Sequence, residues 1–124
     1  MILGCTKNTP YEPPPPINGY IYFYNTTRYY TIAITKVDQR RGSTRECQTY
    51  NNLTVRPNQH QQIQNLIDGT YTFEGGDDVM VSFESTYQTN PGNPLFRGNV
   101  TLTVNGNQIV RVKGQDGEYD ISGQ

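Results

Sequence analysis

A chain of 124 residues with a formal net charge of −1 has room for one domain and carries no field that would draw in nucleic acid or an anionic membrane surface. It has no run approaching the roughly 18 apolar residues of a membrane-spanning helix. Ten tyrosines, no tryptophan and an abundance of Asn, Gln and Thr, with few strong helix formers, predict an exported β protein.

In chain order, residues 1–17 are expected to stand apart from a single folded domain over residues 18–124. Pro13 to Pro16 favours polyproline II, about 3.1 Å per residue, and makes a semi-rigid stalk. Ahead of it, Ile2-Leu3-Gly4-Cys5 resembles the lipobox of bacterial lipoproteins. The resemblance implies a lipidated Cys5 and attachment to a membrane through that lipid. It also implies work in the cell envelope, at the outer membrane, the cell surface or the periplasm. A secretory signal needs a basic region and about 7–15 apolar residues before its cleavage site, so this reading expects them upstream of Met1. Cys47 is then left as a small hydrophobe or an intermolecular partner; without the lipid, a Cys5–Cys47 disulfide is the alternative.

The body opens with alternation. Ile21 and Phe23 share one face; Tyr20, Tyr22 and Tyr24 share the other. Asn25-Thr26-Thr27 reads as a turn, and Arg28 to Val37 alternates again, with Tyr30, Ile32 and Ile34 inward and Tyr29 outward, so the two runs are expected to form a hairpin. Asp38 to Thr44 reads as a polar loop and Glu46 to Tyr50 as a short edge strand broken at Asn51-Asn52. Leu53 to Arg56, His60 to Leu66 and Thr70 to Phe73 follow as strands, then Val79, Val81 and Phe83 on one face of another. Gln88 to Asn93 is a loop on Pro91-Gly92. The last hairpin is expected on Asn105-Gly106, a type I′ pair, with Leu102 and Ile109 facing each other across it. The Asn-x-Thr sequons at Asn25, Asn52 and Asn99 matter only in a source that glycosylates them.

Short strands at this spacing argue an antiparallel β-sandwich of about seven to nine strands, with a closed barrel as the alternative. The stretch Leu53 to Phe73 runs strand, Pro57-Asn58 turn, polar strand, then Leu66-x-x-Gly69-x-Tyr71. It resembles a pattern of Ig-like and carboxypeptidase-regulatory-like sandwich modules. That resemblance, over most of residues 18–113, implies an Ig-like sandwich in which Leu66 caps the core, Gly69 turns between sheets and Tyr71 packs. It also implies a non-catalytic binding or spacer role.

Residues able to carry chemistry are few. The single histidine, His60, lies in a glutamine-rich strand without a nucleophile motif around it, so no enzyme activity and no cofactor are expected. Asp77 and Asp78 on one loop and Asp116 on another could offer oxygens to calcium if the loops met, although turn acids need no metal. Arg40, Arg41 and Arg45 form the only basic cluster, suited to a phosphate or acidic sugar if not simply solvated. The strongest feature is the outward row Tyr20, Tyr22, Tyr24 and Tyr29. Rings with polar tips suit a glycan or a protein partner, unless another segment covers them. The expected function is a lipid-anchored binding module using that face. The alternative is a structural subunit that self-assembles into a filament or surface layer through strand edges and the same tyrosines.

Overall fold

The computed structural model describes residues 14–87, 96–113 and 118–123. Eight strands form: β1 (Ile21–Asn25), β2 (Tyr30–Arg41), β3 (Thr44–Val55), β4 (His60–Ile63), β5 (Asp78–Tyr87), β6 (Phe96–Thr103), β7 (Gln108–Val112) and β8 (Tyr119–Gly123). They make two four-stranded sheets, ordered β4-β1-β7-β8 and β3-β2-β5-β6. No helix occurs among the described residues. The chain is a β-sandwich.

The core lies between the sheets and follows the alternation of each strand. β1 contributes Ile21 and Phe23, β5 contributes Val79, Val81 and Phe83, β7 contributes Val110 and Val112, and β2 contributes Ile32, Ile34 and Val37. Phe23 meets Phe83 edge to face across the layer, with ring centroids 5.4 Å apart. The spacing in β2 departs from two between Ile34 and Val37. A bulge there shifts the register between Ile34 and Lys36, opposite Phe83 and Ser82 of β5. Thr35 is the extra residue, and it keeps Val37 rather than Lys36 in the core.

Both expected hairpins are corrected. β1 and β2 lie in different sheets, and β1 instead runs antiparallel to β4 and parallel to β7. The reason is Asn25, which is fully buried. Its amide donates to the carbonyls of Tyr30 and Val55 at 2.7 and 2.8 Å. Its oxygen accepts from the N–H and hydroxyl of Thr27. Asn-Thr-Thr is thus a side-chain-pinned crossing between layers, an alternative to a backbone turn.

β6 and β7 also divide between the sheets. A type I′ turn needs positive φ at both central residues, but Asn58 is the only non-glycine with positive φ among the described residues, so Gly106 adopts it (82°) and Asn105 does not. Leu102 pairs with Val79 inside the β3-β2-β5-β6 sheet, while Ile109 pairs with Tyr22 on the outer face of the other. The true tight hairpin is β2–β3, closed over Gly42 and Ser43, where a polar loop was expected. β3 continues as one strand through Asn51-Asn52, although its pairing with β2 is interrupted there, between Lys36–Thr49 and Ile34–Leu53. Thr70 to Phe73 forms no strand; Phe73 only bridges to Gly19. Leu66 packs against the core as expected and Gly69 has φ 77°, but Tyr71 is 53% exposed rather than packed.

The segment entering β1 is stitched down. Ile17 N–H donates to Asn105 Oδ1 at 3.0 Å, and Gly106 N–H donates to the Ile17 carbonyl at 2.6 Å. A Cβ on Gly19 would sit 2.1 Å from the Gly106 carbonyl carbon, so only glycine admits this approach.

Candidate functional site

β1 is central in its sheet, between β4 and β7, so its outward side chains have neighbours on both sides. Tyr20, Tyr22 and Tyr24 project from the outer face, partly buried by one another. Ring centroids are 4.8 Å apart for Tyr20 and Tyr22 and 6.2 Å for Tyr22 and Tyr24, with planes turned by 67° and 74°. From β4, His60 pairs in register with Tyr24, stacking on it at 4.9 Å and meeting Tyr22 edge-on at 5.3 Å. The four rings make one contiguous aromatic strip. No third layer of described structure covers it. Each edge-to-face contact adds on the order of 1 kcal/mol beyond its buried area, so the strip holds its shape before any partner arrives.

On the other flank β7 sets Ile109 beside Tyr22 and Arg111 beside Tyr24. β8 places Ser122 and Asp120 opposite these two. Arg111 donates to the Ser122 hydroxyl and faces Asp120 at 3.9 Å. Lys113 Nζ lies 2.6 Å from the other oxygen of Asp120, and that bond holds the ammonium above its ordinary pKa. The surface therefore grades from aromatic to charged over two strands. Apolar anchors beside a polar rim are the usual layout of a protein-binding patch.

Tyr29 does not join the strip. It lies outside β1 and β2, in the crossing between layers, 61% exposed. The other three predicted tyrosines are brought together. His60, Ile109 and Arg111 were missed as members of the surface. His60 could have been found from the pairing of a glutamine-rich strand with β1. The β7 residues could not, because the assumed hairpin hid the parallel β1–β7 pairing.

The arginine cluster is split by the pleat. Arg41 turns inward and grips Asp77, which is 1% exposed, through Nε and Nη2, each 3.0 Å from a carboxylate oxygen. Gln39 Nε2 and the Glu74 N–H donate to the same carboxylate at 2.9 and 3.1 Å. Arg45 forks onto Asp38 with a closest contact of 2.6 Å, holding that carboxyl below the ordinary range. Arg40 lies across from Arg45 and Asp78, beside a shallow depression of about 420 Å³ that Asp38, Asp78, Met80 and Thr101 also line.

Asp77 is thus engaged by four donors, while Asp78 accepts from the Thr103 hydroxyl at 2.7 Å. Asp116 and Cys5 lie outside the described residues. Among the described residues, no three or more His, Cys, Asp or Glu side chains cluster as metal ligands. Cys47 is an exposed free thiol on β3.

Compared with protein-family models, with curated proteins and with solved structures, the chain matches none.

Proposed function

We propose that this chain is a non-catalytic binding module that recognises a protein partner through the outer face of the β4-β1-β7-β8 sheet. The observation behind the proposal is the contiguous strip of Tyr20, Tyr22, Tyr24 and His60. Tyrosine offers contact area at little cost in side-chain entropy and a hydroxyl for the rim, which is why interfaces favour it. A protein fits this strip better than a glycan chain. Successive rings turn by about seventy degrees, so they share no plane on which consecutive sugars could lie. The charged margin of Arg111, Lys113 and Asp120 supplies polar contacts that fix orientation.

The lipobox-like Ile2-Leu3-Gly4-Cys5 and the proline run support an exported module tethered by lipid on Cys5, with its body held off the membrane. Metabolic labelling with a palmitate analogue, lost in Cys5→Ser, tests the tether.

The recognition surface is tested by Tyr22→Ser/Tyr24→Ser. The double variant is expected to keep its circular dichroism spectrum and lose cross-linking to envelope proteins. If tyrosine fluorescence instead responds to a polysaccharide panel in the parent chain alone, the partner is a glycan. Retained cross-linking, or an unfolded variant, would end the proposal.

A further inference from the structure

β3 is an outer strand of its sheet, paired with β2 on one side and with no described strand on the other. From Thr44 to Thr49 every residue is exposed. The register with β2 is unbroken from Arg41–Thr44 to Lys36–Thr49, and the irregular stretch comes only afterwards. The tight hairpin fixes which backbone groups face outward. Arg41 and Thr44 close a two-residue turn and exchange hydrogen bonds, so Arg45, Cys47 and Thr49 aim their N–H and C=O away from β2. Proteins usually blunt such an edge with Pro, Lys or a bulge. The stretch Thr44 to Thr49 contains neither Pro nor Lys, and the charge of Arg45 is held by Asp38 at 2.6 Å.

We infer that two copies of this chain join edge to edge through β3, antiparallel about a dyad at Cys47. The inference goes beyond recognition by the tyrosine strip, and neither depends on the other. A second copy is favoured because β3 matches itself in this register. Arg45 meets Thr49 of the other copy, Glu46 meets Gln48, and no like charges stand opposite. A dyad at Glu46 would oppose two carboxylates, and a dyad at Gln48 would carry the pairing into the irregular stretch at Asn51. The Cys47 register engages the outward groups of Arg45, Cys47 and Thr49 from each copy, about six backbone hydrogen bonds. An isologous contact of this kind closes at two copies, so it yields a dimer and not a filament. It also makes the two Cys47 residues a hydrogen-bonded pair with Cα atoms about 5.5 Å apart, whose Cβ atoms lie farther apart than the roughly 3.5–4.5 Å of a disulfide but within reach of a short bifunctional thiol reagent.

The test uses the full chain carrying Cys5→Ser, so that Cys47 is the sole thiol. Sedimentation equilibrium under reduction is expected to show twice the chain mass at high concentration. Thr49→Pro removes an outward N–H that its own sheet does not use, and Cys47→Lys sets two ammonium groups opposite each other. Each is expected to give the single-chain mass with an unchanged circular dichroism spectrum. A short bismaleimide supplies a second readout: each of its two C=C bonds adds one Cys47 thiol, the sulfur bonding to one carbon and the thiol proton ending on the other, with no oxidant and no leaving group. The covalent dimer should form in the parent and fall at least tenfold in Thr49→Pro. If Thr49→Pro loses its fold, Cys47→Lys decides alone. A single-chain mass at every concentration, or a dimer that persists in the folded variants, overturns the inference. So does association that appears only with an added extended peptide, since the edge would then serve a different partner.

Discussion

Removing the guanidinium of Arg41 should cost this fold more than any other single change at its surface. Arg41→Met keeps most of the side-chain stem and deletes the fork. It leaves the Asp77 carboxylate, 1% exposed, with only Gln39 Nε2 and the Glu74 N–H as donors. Breaking a buried pair from one side costs about 3–5 kcal/mol. Arg41 is 27% exposed, so water can reach part of the site and the lower end, about 3 kcal/mol, applies. The contact of Arg41 with Glu74 adds little, because Glu74 is 58% exposed. With a urea slope of about 1–2 kcal/mol per molar for a domain of this size, the midpoint should fall by roughly 2 M. Asp77→Asn alone should cost about 2 kcal/mol, through the charge-assisted bonds it weakens. The double variant removes both charges and should cost about 2 kcal/mol less than the sum of the singles. Urea titration followed by circular dichroism measures all three. A loss below about 0.5 kcal/mol for Arg41→Met, or strict additivity, would refute the view that Asp77 is a buried hub.

Three further outcomes follow from particular contacts. Deleting Thr35 should preserve cooperative folding in a thermal melt, because only the extra residue is lost and Ile34, Lys36 and Val37 then alternate regularly opposite Phe83, Ser82 and Val81, and Thr35→Ser should be close to neutral. Acid titration should expose the Asp38–Arg45 pair. The folded pKa of Asp38 lies below its ordinary value, so its contribution is present above the ordinary carboxylate range and fades as pH falls through the lowered value. Arg45→Gln should therefore unfold at a higher pH than the parent in an acid scan. Gly19→Ala should lower stability by at least about 2 kcal/mol in urea, since its Cβ would overlap the Gly106 carbonyl.

Alternation carried much of the fold into view. Ile21 and Phe23 facing inward, with Tyr20, Tyr22 and Tyr24 facing outward, is β1 as the sandwich holds it, and Val79, Val81 and Phe83 behave alike in β5. Turn chemistry carried less. Asn-Thr-Thr and Asn-Gly both mark reversals, but a reversal does not say which sheet receives the next strand. Here it was decided by hydrogen bonds between distant residues, Asn25 to Val55 and Asn105 to Ile17. The parallel pairing of β1 with β7, which brings Ile109 and Arg111 to the tyrosines, depends on that choice and has no local signature. The arginines illustrate a related limit. Arg40 and Arg41 are adjacent in sequence, yet the pleat sends them to opposite faces, and only the position of Asp77 reveals that Arg41 is structural. The bulge at Thr35 carries no glycine to announce it.

The stitching of Ile17 to Gly19 has a mechanical consequence. A pull delivered through the N-terminal proline run reaches the body at Ile17 and passes along the axis of β1. That strand is flanked by β4 and β7, whose hydrogen bonds lie across the pull, so they resist in parallel and must rupture together instead of peeling one at a time. Tension would then run directly beneath the tyrosine strip, in the strand of the sheet best braced to keep its shape under force.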